Sequence, residues 1–527
     1  MSRNKLFLPL FFLSLAIVTS LPYFYGFLKT PSGYAYTGVH SLNSGDLYSY
    51  LAQVEQAREG RLLLKNLHTP EAHPGFLVSP LWTLTGWLAA GFGLSNLLAF
   101  HIVRILAILL FLCSAAGLAR AAFAQGWQRT VFLLMLSLSS GIGWLVLAAG
   151  RASSVDLWMP ETIPFMAMAE SPHFLVAQSM MMIAAAAYVR LMNSGEIKHA
   201  VAAGLSLFAL SLIHPFNLAV FLPAMALVTS AAVLSKNRGP AFKTIRDFVI
   251  VAVWPLLGLA YLWLMTRLVP VFASWKNQVS TPSPPLLDYL TGLGLPLGLA
   301  VPSLVAALIL QARDSRRGDL TYLMGAWCLL AFVLCYMPIQ SPRRVTEGLF
   351  IPVCFLAVQT LSRLKERLFC RHAAAFYGLG FLLLGLTCLS NAHLLLRDFQ
   401  AVRTGQTPYY LPIPVLEAAA WLKNNAGPQS VILADPEISY FLPALTGKAV
   451  FAGHREMTID PQEKSRLSAL ALQDPQAGLE IMDEFGVDYL FELRSPGLKD
   501  PYEANPEGIE RVFENGLVRI YHIAPGQ

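Results

Sequence analysis

Long apolar runs recur through the first 395 residues of this 527-residue chain. A helix that crosses a membrane needs about 20 consecutive, predominantly apolar residues, and several of these runs reach that length. Hydrophobic residues make up 55% of the sequence and charged residues only 13%, which excludes an ordinary soluble globular protein. The sequence therefore predicts a polytopic α-helical membrane protein.

Eleven membrane spans are predicted. The opening run has no small-residue cleavage site after it, so we interpret it as a retained first helix rather than a signal peptide. The run 200–233 would form a helix of about 51 Å, against a hydrocarbon core of about 30 Å. Pro215 interrupts it, which favours two short spans. The other predicted spans are 97–120, 130–149, 174–192, 247–270, 288–311, 320–339, 345–361 and 373–395.

Basic loops predict the orientation of these spans. The loops "SKNRGPAFKTIR", "ARDSRRGD" and "SRLKERLFCRH" hold four, three and four Lys or Arg residues, as cytoplasmic loops do. They all fall on the cytoplasmic side if the N-terminus is cytoplasmic and 76–93 forms an interfacial or re-entrant helix. If 76–93 crossed the membrane, the orientation of every later span would be reversed. We expect a multi-pass protein of the cytoplasmic (inner) membrane with an exoplasmic tail. The predicted outer segments are 28–96, 150–173, the His214 turn, 271–287, 340–346 and the tail.

The tail has a different composition. Residues 396–527 carry a net charge of −7 and the rest of the chain +13, so the basic excess reflects membrane topology rather than nucleic-acid binding. The segments "SVILA", "KAVFAG", "DYLFEL" and "LVRIYHI" are typical of strands, and "PVLEAAAWLKNN" and "PQAGLEIMDEFG" of amphipathic helices. The sequence predicts a transmembrane domain, 1–395, and a small C-terminal exoplasmic α/β domain, 396–527. No phosphate-loop motif supports nucleotide binding.

The polar stretch "NSGDLYSYLAQVEQAREG", residues 43–60, stands in the first outer loop, 28–96. Ser44 or Asp46 can cap a helix that Gly60 ends. Tyr50 and Gln53 follow Asp46 by four and seven residues, so all three share one helix face. Two interpretations stand: Asp46 caps an amphipathic interfacial helix, or it is a catalytic carboxylate.

Other acidic residues are concentrated on the predicted outer side. The second outer loop, 150–173, reads "RASSVDLWMPETIPFMAMAESPHF" from Arg151 onward and carries three carboxylates and a histidine within 18 residues. Prolines and aromatic residues between them favour an ordered loop. These candidates are Asp156, Glu161, Glu170 and His173.

Basic residues stand at the outer ends of several spans. His101 and Arg104 share one face at the outer start of the second span, and Arg343 and Arg344 lie at the mouth of another. Ionisable groups at membrane depth are functional candidates. Guanidinium groups suit phosphate, although lipid-headgroup anchoring is the alternative. His214, in the outer turn, completes this set.

Carboxylates and arginines beside a membrane suit transfer from a lipid-phosphate-linked sugar. An aspartate can deprotonate an acceptor hydroxyl, which then attacks the anomeric carbon. The departing lipid phosphate gains charge, and arginine can stabilise it.

The chain resembles the GT-C class of integral-membrane glycosyltransferases over essentially its full length. "GDLYSYLAQVEQAREGRLLLKNLHTPE" is similar to the first-loop motif of bacterial members, "ESPHF" to a second-loop motif and "RRVTEGLFIPV" to a late-span motif. "LPALTGKAVFAGH" and "FGVDYLFE" resemble the tail of these proteins. The order of all five carries the resemblance.

That resemblance implies Asp46 as the catalytic aspartate, an assisting acid from the second loop and a polyprenyl-phosphate-sugar donor. It leaves open a divalent cation, Mg²⁺ or Mn²⁺, which Asp46 could hold with Asp156, Glu161 or Glu170. The chain lacks the WWD-type tail signature of oligosaccharyltransferases, which favours single-sugar transfer over protein N-glycosylation.

Two other functions remain open at this point. A lipid or polysaccharide transporter or flippase would place charges near the bilayer midplane, and an O-antigen ligase or polymerase would depend on a large late loop. The acceptor is a lipid, glycan or protein, and no nucleic-acid partner is expected.

Overall fold

The computed structural model describes residues 4–77, 79–151, 153–234, 241–309, 318–494, 501–502 and 508–523. Parts of two basic loops that set the predicted topology, 235–240 and 310–317, lie outside the described residues.

The described chain is mostly helical. In chain order the helices are Asn4–Val18 (α1), Leu21–Leu28 (α2), Asp46–Arg58 (α3), Pro80–Phe92 (α4), Asn96–Ala122 (α5), Gly126–Leu138 (α6), Gly143–Ala148 (α7), Pro164–Glu170 (α8), Pro172–Ser194 (α9), Ile197–Ile213 (α10), Leu218–Leu234 (α11), Ala241–Leu268 (α12), Pro270–Gln278 (α13), Leu286–Ile309 (α14), Gly318–Leu334 (α15), Phe350–Leu368 (α16), Ala373–Thr387 (α17), Leu389–Arg403 (α18), Ile413–Asn425 (α19), Pro436–Ser439 (α20), Leu442–Thr446 (α21), Pro461–Gln473 (α22) and Pro475–Glu484 (α23). Short 3-10 turns occur at Val155–Leu157, Pro215–Asn217 and Pro342–Thr346.

Within the described ranges, eight helical segments are long and apolar enough to cross a membrane. The pair Leu6–Val18 and Leu21–Leu28, bent by 41°, makes a ninth if it is one span. The two remaining predicted spans coincide with shorter apolar helices, Ile197–Ile213 and Asp319–Leu334. The expected polytopic helical architecture is confirmed: eight or nine described segments have the length of a full span, and two shorter apolar helices lie where the other two spans were predicted. The eight segments are Asn96–Ala122, Gly126–Ala148, Pro172–Ser194, Pro215–Leu234, Ala241–Leu268, Leu286–Ile309, Pro342–Leu368 and Ala373–Arg403.

The predicted interruption at Pro215 is present. Helix α10 ends at Ile213, and the turn Pro215–Asn217 separates it from α11. Proline lacks the backbone N–H and clashes with the preceding turn, so a continuous helix cannot pass through this residue without loss.

The chain divides into two compact units. We call Met1–Leu21, Val103–Leu262 and Ser280–Arg397 the transmembrane unit, and Pro22–Ile102, Trp263–Val279 and Asp398–Gln527 the sheet unit. The sheet unit therefore combines all of the first predicted outer loop, 28–96, and part of 271–287 with the tail.

In the transmembrane unit, helices α9 and α10, α14 and α16, and α11 and α15 pack as pairs. Helix α14 is kinked at Gly294, whose φ of 40° lies in the left-handed region. A Cβ there would lie 2.9 Å from the Cα of Gly141. The kink thus brings two backbones close together, and only glycine at both positions permits that approach.

The sheet unit contains two sheets. Its strands are Tyr34–Tyr36 (β1), Tyr410–Pro412 (β2), Val431–Ala434 (β3), Ala449–Val450 (β4), Tyr489–Leu493 (β5), Ile509–Glu514 (β6) and Val518–Ile523 (β7). Strands β1 and β2 form an antiparallel pair in which Ala35 faces Leu411. The other sheet has the order β4-β3-β5-β7-β6, in which β4, β3 and β5 are parallel and β7 is antiparallel to both neighbours. The predicted α/β tail is confirmed, and all four predicted strands and both helices are present.

The core of the sheet unit lies on both faces of the five-stranded sheet. On one face, Ile432 and Phe491 pack with residues of α19, α21 and α3. On the other, Leu433 and Leu490 pack with residues of α22 and α23. Adjacent strand residues point to opposite faces, so each strand serves both halves of the core.

Helix α3 is an interior element of this unit. Ten of its thirteen residues are buried. The Tyr48 ring packs edge-on against Phe441, with ring centroids 4.4 Å apart. This burial does not fit the amphipathic interfacial helix considered from the sequence, because residues of the tail pack against α3.

Helix α4, within the segment 76–93, has 13 residues and is about 20 Å long, too short to cross a hydrocarbon core of about 30 Å. It packs against α3 at Gly86, where a Cβ would lie 2.5 Å from the carbonyl oxygen of Val54. Its opposite side exposes Leu84 and Trp87.

We predict that Gly86→Ala destabilises the protein by about 1–3 kcal/mol, because α3 and α4 must separate to admit the methyl group. Gly91→Ala is the matched control on the same helix, since no atom lies within 4 Å of its added Cβ. That change should be neutral or stabilise by up to about 1 kcal/mol, the difference in helix propensity. Thermal unfolding of the detergent-solubilised chain measures both, and equal melting temperatures for the two variants would contradict the close packing of α3 on α4.

Candidate active site

Asp46 is the first residue of α3, and Gly45 occupies the N-cap position without a side-chain capping hydrogen bond. The expectation that Ser44 or Asp46 caps this helix is therefore wrong. The side chain of Asp46 is 43% exposed. Its carboxylate lies in the first turn, where the unpaired backbone N–H groups of a helix stabilise negative charge.

His454 of the tail pairs with this carboxylate. Its Nε2 lies 3.0 Å from Oδ1 of Asp46, across 408 residues of sequence. An ionised carboxylate only accepts hydrogen bonds, so Nε2 of the imidazole carries the hydrogen. The His454 side chain is 13% exposed, much less than its partner. Sequence analysis placed His454 at the end of the motif "LPALTGKAVFAGH" but gave it no role.

His68 supports His454 from behind. Its Nδ1 accepts a hydrogen bond of 3.1 Å from the backbone N–H of His454, so the hydrogen of the neutral ring lies on Nε2. Burial, and secondarily the neighbouring His454, lower the pKa of His68 from 6.5 to about 3. His68 therefore stays neutral near pH 7 and remains an acceptor.

The turn that carries His454 is fixed at several points. The hydroxyl of Thr458 donates to the carbonyl of His68 at 2.9 Å and accepts from the N–H of Gly453 at 2.9 Å. Asn66 donates to the carbonyl of Met457 at 2.7 Å. A Cβ on Gly453 would lie 2.5 Å from His68 Nδ1, so glycine is required for this close approach. Thr458, Asn66 and Gly453 were not predicted from the sequence, because they are not typical catalytic residues and lie in no recognisable catalytic motif.

The other candidates on α3 and its surroundings have defined places. Tyr50 stacks on Trp82 with ring centroids 4.6 Å apart, and Gln53 is buried. His101 packs edge-on against Tyr23, with ring centroids 4.6 Å apart. Tyr50 and His101 are partly buried, so these ring contacts pack both residues into the sheet unit.

Glu55 anchors the middle of α3. Its carboxylate is almost completely buried, forms an ion pair with Lys423 of α19 and accepts a hydrogen bond from Asn96. A buried charge requires such compensation. Glu55 therefore ties the helix to the tail and has a structural role.

In the transmembrane unit, Asp156 is fully buried and its oxygens are occupied by nearby donors. Oδ2 accepts from the N–H groups of Gly141 and Gly143 at 3.1 and 3.0 Å, and Oδ1 accepts from the Ser154 hydroxyl at 2.5 Å. These bonds hold two loop segments together. The geometry gives Asp156 a structural role, and its acid–base role stays a prediction.

Glu161 and Arg343 form an ion pair. Nη2 of Arg343 lies 2.9 Å from Oε1 of Glu161, and its guanidinium lies 5.3 Å above the ring centre of Trp158. The backbone N–H of Gly348 also donates to the carbonyl of Glu161 at 3.0 Å. The predicted second outer loop and the residues before α16 therefore contact each other directly.

Arg344 differs from its neighbour. Its Nη1 lies 3.3 Å from Nε2 of His214, its guanidinium lies 5.5 Å from the ring centre of Phe216, and within the described part of the chain it contacts no carboxylate. His214 in turn contacts the fully buried carboxylate of Glu347 through Nδ1. Arg344 donates to Nε2, so the hydrogen of the neutral ring is on Nδ1. The contacts from Glu347 through His214 orient Arg344. Among the described residues, most N–H groups of its guanidinium donate no hydrogen bond.

The other residues predicted from the sequence are His173, which lies near His214, and two buried residues, Glu170 and Arg104. The His173 ring is 6.3 Å from that of His214, and Glu170 is buried at the end of α8. The buried guanidinium of Arg104 donates to the carbonyl of Met168 at 2.9 Å and to the hydroxyls of Thr19 and Ser20 at 3.1 and 2.6 Å. Arg104 thus fastens the second loop to the end of α1.

The residues that the structure describes contain no group of three His, Cys, Asp or Glu side chains arranged to hold a metal ion. The oxygens of Asp156, one of the proposed ligands, are already hydrogen-bonded. The described donor sets thus do not fit the divalent cation that the resemblance leaves open, and no step below passes through one.

Solved structures of three proteins illustrate the similar fold. The archaeal oligosaccharyltransferase AglB from Archaeoglobus fulgidus, in complex with an inhibitory peptide and a dolichol-phosphate, matches with a TM-score of 0.55 and 11% identity over 93% of this chain and 70% of that chain. ArnT from Cupriavidus metallidurans, in the apo state, matches with a TM-score of 0.53 and 14% identity over 97% of this chain and 98% of that chain. Arabinofuranosyltransferase AftD from Mycobacteria matches with a TM-score of 0.50 and 15% identity over all of this chain but only 40% of that chain.

The chain has the GT-C fold. No protein-family model and no curated protein sequence matches it. At identities of 11–15% the similarity concerns the fold of a GT-C membrane protein, and the functional assignment depends on the residues of its own site.

We predict that acid destabilises this GT-C protein in part through His68. Its pKa in the folded protein lies below the ordinary value, so its contribution to stability is complete above about pH 6.5 and is lost as the pH falls toward 3. The loss is at most about 1.4 kcal/mol per pH unit. His68→Asn keeps an acceptor near Nδ1 but does not titrate. Thermal unfolding between pH 7 and 4.5 should therefore show a shallower slope for this variant than for the wild type, and identical slopes would contradict the buried neutral state of His68.

Proposed function

We propose that this protein is a membrane glycosyltransferase that moves a sugar from a polyprenyl-phosphate donor to an acceptor hydroxyl on the outer face of the cytoplasmic membrane. Asp46 is the general base. The observation that carries this proposal is an accessible carboxylate, paired with an imidazole at 3.0 Å, at the start of a rigidly packed helix in a chain with the GT-C fold.

The surroundings of Asp46 suit a base. Its side chain is 43% exposed and can meet an acceptor, whereas Glu55, on the same helix, is buried and paired with Lys423. In the transfer step the acceptor oxygen bonds to the anomeric carbon while its proton passes to Asp46. The bond from that carbon to the phosphate oxygen breaks, and the lipid phosphate leaves with the electron pair. General-base catalysis contributes about 10²–10⁴-fold to such a step.

Arg344 is the proposed ligand of the donor phosphate. Its guanidinium is oriented by His214, contacts no carboxylate among the described residues, and presents a planar fork that suits phosphate oxygens. Arg343 is already paired with Glu161 and stacked on Trp158, so it contributes positive charge rather than the main contact. A lipid-phosphate donor is also supported by the fold similarity to AglB, whose structure contains a dolichol-phosphate.

Glu161, Glu170 and His173 remain candidates for contacts to the substrate. Glu161 is the acid of the second loop that pairs with the proposed phosphate-binding segment through Arg343. Tyr50 and His101, which are partly buried, and Gln53, which is buried, support the first loop.

The topology belongs to the same proposal. A cytoplasmic N-terminus and an exoplasmic tail put Asp46 and His454 on the outer side of the membrane. The contacts between the second outer loop, the His214 turn and 341–348 agree with this arrangement, because all three were expected on one side.

We predict that Asp46→Asn abolishes transfer while the fold survives, because the amide keeps the size of the side chain but cannot accept a proton. Activity per folded molecule should fall by about 10²–10⁴-fold. It is measured as consumption, followed by mass spectrometry, of the polyprenyl-phosphate-linked sugar that accumulates in a strain lacking the gene. Asp474→Asn is the matched control, an exposed aspartate at a helix start that caps its helix through Gln476 and Ala477. If Asp46→Asn lowered only the amount of folded protein, as a structural aspartate would, the base assignment would be wrong.

We predict that Arg344→Lys weakens binding of polyprenyl phosphate although the positive charge remains, because lysine cannot present two parallel donors. The affinity for polyprenyl phosphate should fall by about 10-fold, which corresponds to the loss of one charged hydrogen bond. Native mass spectrometry of the full chain with undecaprenyl phosphate as the probe measures it. Arg343→Lys, the neighbouring control, should change binding less. Equal affinities for the wild type and an Arg343→Ala, Arg344→Ala double variant would instead favour lipid-headgroup anchoring.

A further inference from the structure

We propose that His454 is a positioning residue for Asp46, so that the C-terminal tail supplies part of the catalytic unit. This inference rests on the proposed function of Asp46 as the base. Through Nε2–H, the imidazole holds one carboxylate oxygen and so sets the direction in which the carboxylate meets the acceptor hydroxyl.

The contact has the geometry that positioning requires. The 3.0 Å separation of Nε2 and Oδ1 is a normal hydrogen-bond distance, and the imidazole is the more shielded partner, 13% exposed against 43%. Gly45 lets the ring approach, since a Cβ there would lie 3.2 Å from Cδ2 of His454. One side of the carboxylate is therefore set against the tail while the side chain keeps access to solvent.

The imidazole is presented by a rigid turn. His68 accepts from the backbone N–H of His454, and Thr458 links the same turn to the carbonyl of His68. Gln278, of α13, also donates to the carbonyl of Glu456 at 3.4 Å. A side chain whose backbone is held at three points loses little freedom when it makes its hydrogen bond, so the direction of Asp46 is set before substrate binds.

A structural tether would be the other purpose of this pair, but the unit already has one. Glu55 and Lys423 join the same helix to the same tail through a nearly buried carboxylate. Lys464 and Glu71 join the first loop to α22. Each of the three pairs has one exposed partner: Asp46 at 43%, Lys423 at 38% and Glu71 at 35%. Solvent screening weakens such ion pairs. Only at Asp46 is the exposed partner the proposed base, so this contact also sets the direction of that carboxylate.

His454 keeps its proton throughout the proposed step. Asp46 receives the acceptor proton and later releases it to solvent, while Nε2–H of His454 remains a donor to the same carboxylate. Loss of the imidazole should therefore lower turnover at saturating donor and leave the donor concentration for half-saturation nearly unchanged.

The test uses the full chain, solubilised in detergent and added to membranes of a strain lacking the gene, which supply the accumulated lipid-linked sugar and the acceptor. Turnover of His454→Gln should fall less than that of His454→Gly, because the glutamine amide can still donate. The expected loss for His454→Gly is about 10- to 100-fold, the range for a displaced catalytic group. Added imidazole should restore at least part of that loss. Lys423→Met is the matched control, which should lower the melting temperature and leave turnover per folded molecule unchanged.

The outcomes distinguish failure of the proposed function from failure of the positioning role of His454. If the wild type does not consume the accumulated lipid-linked sugar, the proposed function fails. If the wild type consumes it and His454→Gly does so equally fast, the positioning role is wrong. If His454→Gly loses activity only in proportion to folded protein, as a tether variant would, and imidazole restores nothing, the contact is structural and the inference is overturned.

Discussion

The burial of a polar helix is the constraint on which the sheet unit depends. Helix α3 carries Glu55 and Gln56 into the interior, and removing such groups from water is costly unless each finds a partner. Glu55 finds Lys423 and Asn96, and Gln56 hydrogen-bonds the backbone of Lys65 through both its side-chain oxygen and nitrogen. These partners come from the tail, from the start of α5 and from the loop after α3. The first loop and the tail must therefore fold together. Asp46, the first residue of α3, is held in position because the rest of the helix is packed.

Much of the architecture follows from local pattern. A run of about 20 apolar residues needs no distant partner to be recognised as a span, because the bilayer itself requires it. The break at Pro215 is equally local, and so are strands such as β3 and β5, whose residues are apolar on both faces. Strand β6 was missed because three of its six residues are exposed and its sequence shows no regular apolar alternation. The N-cap was misjudged because Ser44, Gly45 and Asp46 are all good caps in isolation.

The candidate site was harder to predict, because its main contacts join residues that are far apart in the sequence. Sequence patterns found Asp46 but could not show that His454 approaches it, because nothing in "VFAGH" indicates a carboxylate 408 residues away. Residue type also failed to separate Asp156 from Glu161. Both are acidic and lie in the same loop, but backbone N–H groups at Gly141 and Gly143 bind the first, whereas Arg343 binds the second. Arg343 and Arg344 are likewise adjacent and identical in type, and only the structure shows that one is already paired.

These pairings explain why a tail without a nucleotide motif or a recognisable catalytic signature belongs to this protein. Residues of the tail build most of the core around α3, through Val415, Phe441 and Ile432 on one face of the sheet. The same tail forms the turn that holds His454 against Asp46. Without it, α3 would expose Tyr48 and leave Glu55 buried without its lysine or exposed without a core. Asp46 would then lose both the packing behind its helix and its hydrogen bond to His454. The tail thus acts through the first loop, as the structure that gives Asp46 the fixed position that the proposed base requires.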